Sequence, residues 1–122
     1  MLHEEISDKI IASAIAVHRV VGPGLAEKSY QAAMAIEMND QGLRFQSEPM
    51  LPVRFKGVLI GHHHPDFIVE DAIVVELKVV HALEPVHTAQ VLTYLRVTRL
   101  QVGLLINFNV DALKFGIKRV VK

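Results

Sequence analysis

The sequence predicts an α/β domain with the element order ααβββαββ, and three observations carry that prediction. Residues 4–21 repeat apolar side chains at helical spacing. The stretch from Asp66 to Val80 reads as two strands joined by a tight turn. Between Ala72 and Phe108 an apolar strand, a helix and a second apolar strand follow one another. A strand, a helix and a strand in that order imply a right-handed crossover and a parallel pair. With 122 residues the chain makes one domain, spanning 1–122, with a core of its own.

The elements follow in order. In residues 4–21, Ile6, Ile10, Ala14, Val17 and Val21 recur at three- and four-residue steps and Ile11 widens the stripe, while Asp8, Lys9, Ser13 and Arg19 fall off it. Ser7 or an earlier residue is the expected cap. His18 lies near the helix end, where the C-terminal dipole suits a histidine. Gly22-Pro23-Gly24 ends this helix. A second is expected from Leu25 to Gln41, with Gly42 as its C′ residue, a core stripe of Leu25, Ser29, Ala32, Ala33 and Ile36, and a neighbouring face of Glu27, Tyr30, Gln31 and Met34.

Residues 45–55 alternate loosely and contain Pro49 and Pro52, which suggests one edge or bent strand. After the Lys56-Gly57 turn, a strand starts at Val58, passes Gly61-His62-His63-His64-Pro65 with a bulge or bend, and continues to Glu70. Ala72 to Val80 is the central strand. Val74, Glu76, Lys78 and Val80 share one face, and apolar residues on both faces predict cover on both sides. Pro85 and Thr88 suit the first turn of a helix running to about Val97, with Ala89, Leu92 and Val86 inward and His87, Gln90 and Tyr94 along one face. The apolar run 101–108 is the parallel partner strand, and the alternation of 113–118 is read as the last strand.

Composition excludes several classes of function. No cysteine is present, so disulfides and thiolate metal sites are ruled out. No apolar run reaches the roughly 18 residues of a membrane span. The acidic start Met1-Leu2-His3-Glu4-Glu5 lacks a signal peptide's basic region, so a cytoplasmic location is the expectation. Lys+Arg and Asp+Glu both number 13, so there is no global basic field, and a polyanion would have to be met by a local patch or a metal ion. Hydrophobic residues make up 51% of the chain, with a mean hydropathy of +0.31. Crowded core strands account for this most simply; a homodimer covering some apolar surface is the other explanation.

Asp66, Glu76 and Lys78 stand out because they interrupt β-branched, apolar strands. A buried charge costs several kcal/mol unless it is paired or bound to a metal. With a three-residue loop Glu70-Asp71-Ala72, Val69 pairs with Ile73 and Asp66 lies opposite Glu76, their Cβ atoms ~5 Å apart. A two-residue turn would offset the pair by one position. Two carboxylates that close repel unless something positive lies between them, and Mg²⁺ or Mn²⁺ suits oxygen ligands of this kind. Lys78, on the same face, is placed to meet a phosphate or a water. The plainer alternative is a cross-strand pair with Lys78 as counter-ion.

Pro65-Asp66, then Glu76-Leu77-Lys78, resembles the metal site of the PD-(D/E)XK nuclease superfamily. Gly24-Leu25-Ala26-Glu27-Lys28-Ser29-Tyr30 resembles the signature of the GxxExxY protein family, a branch of that superfamily. Residues 14–30, Pro85 to Gln90 with Tyr94-Leu95, and Gly103 to Phe108 are also similar to it, and Gln90 with Tyr94 resembles the glutamine–tyrosine pair of RecB-like nucleases. The resemblance implies a restriction-endonuclease-like core, a mixed β-sheet flanked by helices, and phosphodiester hydrolysis with Mg²⁺ or Mn²⁺. By that resemblance Asp66 and Glu76 ligate the metal, and Glu27 joins its shell directly or through water. Lys78 orients or helps deprotonate the attacking water, and Gln90 and Tyr94 position the phosphate or brace the site. Where the family has a basic residue before the aspartate, this chain has His62-His63-His64.

The leading reading is therefore a metal-dependent nuclease acting on DNA in preference to RNA. The second is a non-catalytic nuclease-fold protein that binds nucleic acid or a protein. The third is metal capture by the histidines, of which His62 and His64 share a strand face and His63 does not. Arg96, Arg99, Lys118, Arg119 and Lys122 are either a phosphate-binding rim or scattered solvated charges. His87 either joins the Gln90–Tyr94 face or stays on the surface.

Overall fold

The computed structural model describes residues 1–122. Helix α1 covers Glu4–Val21, with Glu4 and Glu5 in its first turn and His18 and Arg19 in its last, matching the helix dipole. Ser7 does not cap it. That residue lies one turn inside, and its hydroxyl donates to the Glu4 carbonyl at 3.0 Å. Ile10, Ala14 and Val17 are buried as expected, but Val21 is exposed. Ser13, expected off the stripe, is fully buried, and its hydroxyl donates to the Lys9 carbonyl at 2.9 Å.

Helix α2 covers Glu27–Asp40. The residues expected inward do not turn inward: Leu25 precedes the helix, Ile36 is 64% exposed, and Ser29 and Ala32 face solvent. Tyr30, Met34 and Met38 form the buried face instead. They repeat at i, i+4 and i+8, and their long side chains fill the space between helix and sheet where serine and alanine would leave it empty.

The strands are β1 Phe45–Ser47, β2 Leu51–Phe55, β3 Val58–His63, β4 Phe67–Val69, β5 Ile73–Lys78, β6 Val102–Asn107 and β7 Ile117–Val121. Five form one mixed sheet in the order β1-β4-β5-β6-β7, while β2 and β3 make a separate two-stranded sheet. Only β5 and β6 are parallel, joined by helix α3, Pro85–Thr98. Both long strands expected before residue 70 are thus divided. The first breaks at Glu48, whose φ of 50° is incompatible with a strand, and Pro49. The second breaks at His64-Pro65, and a bulge falls opposite Val53/Arg54, beside Gly61. The Glu48 N–H still reaches the Asp66 carbonyl at 2.9 Å, so the two interruptions face each other and the hairpin leaves the main sheet there.

Alternation on β5 divides the core into two layers. Ile73, Val75 and Leu77 face α1 and α2, in a cluster with Ile10, Tyr30 and Met34. Val74 faces α3 together with Ile68, Val91, Tyr94 and Leu95. The inward face of α3 is therefore Val91, Tyr94 and Leu95; Ala89 and Val86, expected inward, are exposed, and Leu92 is half-buried. The close approach of α3 depends on Gly103, where a Cβ would stand 2.5 Å from Val91 Cγ1. The last strand starts later than the alternation suggested. Leu113–Gly116 is a 3₁₀ turn with Phe115 pointing to solvent, and β7 pairs with β6 only from Ile117. No helix is long and apolar enough to cross a membrane.

Candidate active site

The β4–β5 hairpin aligns Val69 with Ile73, Ile68 with Val74 and Phe67 with Val75. The connection is the three-residue loop Glu70-Asp71-Ala72, with Glu70 and Asp71 left-handed at φ 54° and 51°. In this register Asp66 and Glu76 come opposite one another just beyond the last paired residues. The Asp66 N–H donates to Glu76 Oε1 at 3.1 Å, and the Leu77 N–H donates to Asp66 Oδ2 at 2.7 Å. Lys78 Nζ stands 3.5 Å from Glu76 Oε2, with side chains 17% and 6% exposed. Pro65 is buried at the strand break that sets Asp66 in place.

Two buried carboxylates with one ammonium carry an excess of negative charge. The Glu76 carboxyl is pushed up to about 8, first by burial and then by the Asp66 charge, with Lys78 opposing. Burial also raises Asp66, but less effectively, because the Leu77 N–H and a hydrogen bond with Glu76 favour its ionised form. Burial and mutual repulsion thus favour protonation of the pair where no further cation is present. The Tyr94 hydroxyl is raised by burial and then by the charges of Glu76 and Asp66, and a hydrogen bond with Gln90 opposes this. Tyr94 and Gln90 thus come to the α3 side of the carboxylates, on the face that alternation assigns to Glu76.

Glu27 is the first residue of α2. Burial raises its carboxyl, and the charges of Asp66 and Lys78 act on it in opposite directions. It senses the pair without joining it, since no three Asp, Glu or His side chains close into a metal-sized cluster. Tyr30 serves a different purpose. It is fully buried and stacks on Phe108 at 4.4 Å; its hydroxyl donates to the Gly22 carbonyl at 2.5 Å and accepts from the Leu25 N–H at 3.2 Å. Tyr30 therefore pins the loop that delivers Glu27, a loop in which Gly24 adopts φ 102°, a conformation closed to ordinary side chains.

Three site neighbours were not legible as such in the sequence. Gln31 Nε2 donates to Asp66 Oδ1 at 3.0 Å and to Glu48 Oε1 at 3.2 Å, and Lys28 forms an ion pair with that Glu48 oxygen. Gln31 lies one helical turn after Glu27, a spacing that could have found it; Glu48 gave no comparable signal. Asn107, 2% exposed, receives the Val80 N–H at 3.1 Å and donates to the Val80 carbonyl at 2.9 Å, closing the chain behind Lys78.

The histidines point to separate partners. His62 Nδ1 meets Met50 Sδ at 3.0 Å, the His63 ring lies 6.1 Å from Tyr94, and His64 Nδ1 donates to the Glu48 carbonyl at 3.2 Å. His18 Nε2 donates to the Val110 carbonyl at 2.8 Å, tying α1 to the loop after β6. His87 Nδ1 accepts the Glu84 N–H at 2.9 Å at the start of α3. Lys118 and Arg119 alternate across β7, and Arg119 is bound to Ser7 Oγ and the Leu2 carbonyl.

The donor set fits a hard divalent cation. Asp66 and Glu76 offer two buried carboxylates with a single ammonium, Lys78, in contact, and Mg²⁺ or Mn²⁺ commonly takes one or two carboxylates and completes its shell with water. A family model of the PD-(D/E)XK nuclease superfamily matches residues 4–120, with Pro65-Asp66 and Glu76-Leu77-Lys78 within the match. The chain belongs to that superfamily, whose members generally act on nucleic acid with divalent metal ions. No curated protein and no solved structure matches it.

Proposed function

We propose that this protein is a Mg²⁺- or Mn²⁺-dependent nuclease that hydrolyses phosphodiester bonds in DNA, and that it belongs to the GxxExxY branch of its superfamily. The observation that carries the reading is the buried Asp66–Glu76 pair, which has only Lys78 to balance it. Asp66 and Glu76 would hold the metal, with Glu27 reaching its shell through water. A divalent ion held there would supply positive charge to the phosphate and would ease loss of the attacking water's proton to solvent. Lys78 donates hydrogen bonds to the attacking water and to the negatively charged phosphorus group as the water oxygen bonds to phosphorus and the bond to the leaving oxygen breaks, the water's proton passing to solvent and the leaving oxygen taking one from solvent. Tyr94, kept protonated by its surroundings, donates to a phosphate oxygen, and Gln90 holds the Tyr94 ring in position.

The test is nicking of supercoiled plasmid by purified protein with Mg²⁺ or Mn²⁺, beside Glu76→Ala and Lys78→Ala variants of unchanged fold. The variants should be inactive; a wild-type protein that cleaves neither DNA nor RNA with either metal overturns the proposal. One observation favours a non-catalytic alternative. The pair is already engaged by the Asp66 N–H, the Leu77 N–H and Gln31, as a purely structural pair would be. That alternative expects nucleic-acid binding without turnover, unaffected by neutralising Asp66, Glu76 or Lys78.

A further inference from the structure

The β2–β3 hairpin stands outside the sheet that carries Asp66 and Glu76. From Pro49 to Pro65 the chain has no Asp or Glu, although acids and bases balance over the whole sequence. The hairpin carries Arg54 and Lys56 at its tip, where Phe55 pairs with Val58 and Arg54 with Leu59. Phe55, Val58 and Ile60 are 62%, 65% and 64% exposed. Lys56 Nζ lies 5.6 Å from the centre of the Phe55 ring, so cation and aromatic face form one surface.

The root of the hairpin is fixed to the walls of the site. Leu51 packs against the α3 side of the core, and the His63 ring adjoins Tyr94. His64 is bonded to Glu48, and Glu48 through Gln31 to Asp66. A ligand on the outer hairpin would therefore lead directly toward the carboxylates.

We propose that the β2–β3 hairpin is an arm that grips a nucleic-acid strand with unpaired bases beside the Asp66–Glu76 site. Arg54 and Lys56 meet phosphates, and Phe55, with Val58 and Ile60, receives base faces. The charge of the tip selects this occupant. A symmetric dimer through the same patch would bring the cations of two tips into one interface with no acid on either hairpin to pair them, which like-charge repulsion opposes. A closed duplex offers phosphates but hides its base faces, whereas an unpaired strand offers both, the combination that cationic and aromatic side chains bind. The inference rests on the nuclease reading for the direction in which the strand leads, and its test separates the two.

The chain contains no tryptophan, so Phe55→Trp places a single fluorophore at the tip. In the full-length protein carrying Glu76→Gln, oligothymidylate should quench that fluorescence saturably. Phe55→Ala should weaken binding by roughly tenfold while Phe55→Trp retains it. Arg54→Ala with Lys56→Ala should reduce the slope of log affinity against log salt by about 1.4, the value for two single-strand phosphate contacts. Blunt duplex should bind more weakly than the single strand. All variants should melt with the parent, because the substituted side chains are exposed.

The proposal is overturned if Phe55→Ala and the Arg54→Ala, Lys56→Ala double variant bind oligothymidylate as the parent does. It is also overturned if sedimentation shows a dimer that Phe55→Ala dissociates with nucleic-acid affinity unchanged. Hairpin-dependent binding by a wild-type protein that hydrolyses nothing with either metal supports the arm and removes the nuclease reading. Cleavage with hairpin variants that bind and cut normally does the reverse.

Discussion

Two antiparallel hairpins of this chain lie side by side in sequence and differ in almost every physical respect. The β4–β5 hairpin lies in the middle of the sheet, covered by α1 and α2 on one face and α3 on the other, and carries the carboxylates of Asp66 and Glu76 with Lys78 beside them. The β2–β3 hairpin stands free of that sheet, exposes Phe55, Val58 and Ile60, and carries Arg54 and Lys56 with no acid. Burial decides what a charge does in each place. In the inner hairpin it turns Glu76 into a carboxyl that keeps its proton near neutrality and creates a demand for a cation. In the outer hairpin water satisfies the charges, so they remain available to a polyanion without disturbing the fold.

The sharpest way to break the comparison is to remove the inner charge. Asp66→Asn or Glu76→Gln should reduce metal-dependent nicking by at least about 100-fold, as loss of a group that stabilises transition-state charge does; initial rates on plasmid measure it. The next largest effect is expected where the cover of the inner hairpin is tightest. Gly103→Ala places a methyl against Val91 and should cost about 1–3 kcal/mol in urea unfolding. Tyr30→Phe should cost about 0.5–1.5 kcal/mol, because the Gly22 carbonyl and the Leu25 N–H both lose the hydroxyl as partner. It should also impair nicking by loosening the loop that delivers Glu27.

The pH dependence follows from the sign of the Glu76 shift. A carboxyl raised from 4.5 in the unfolded chain to about 8 in the fold binds a proton more tightly when folded. Its contribution to stability is fully present below 4.5, declines as pH rises toward 8, and is lost above it. In chelator, the melting temperature should therefore fall across that window, and Glu76→Gln should flatten the fall. A divalent ion should bind more tightly as pH rises over the same range, because it displaces that proton. The smallest effect belongs to the outer hairpin: Phe55→Ala and Arg54→Ala should each change stability by no more than about 0.5 kcal/mol.

The inner hairpin was the part most legible in the sequence. Alternation placed Glu76 and Lys78 on one face, and one of two turn lengths brought Asp66 opposite; the structure has that turn. The outer hairpin reads in the sequence as parts of two longer strands, because Pro49 and Pro65 mark a break without saying which sheet each half joins. The buried face of α2 was misassigned for a related reason. Tyr30, Met34 and Met38 repeat as regularly as Leu25, Ser29, Ala32 and Ile36, and packing against Phe108 and the sheet decides between them. Gln31 shares the helix face of Glu27, which hints at its place, whereas Glu48 reaches Asp66 only through Gln31, a contact between distant segments that no local pattern encodes.

The central claim is that Asp66 and Glu76 are held together for a divalent cation. A crystal soaked in Mn²⁺ and measured at the manganese absorption edge tests it most directly. An anomalous peak bridging the two carboxylates, with Glu76 deprotonated, is the expected result. A pair that stays hydrogen-bonded to itself with no ion between its oxygens, at Mn²⁺ concentrations that saturate nuclease sites, would contradict it.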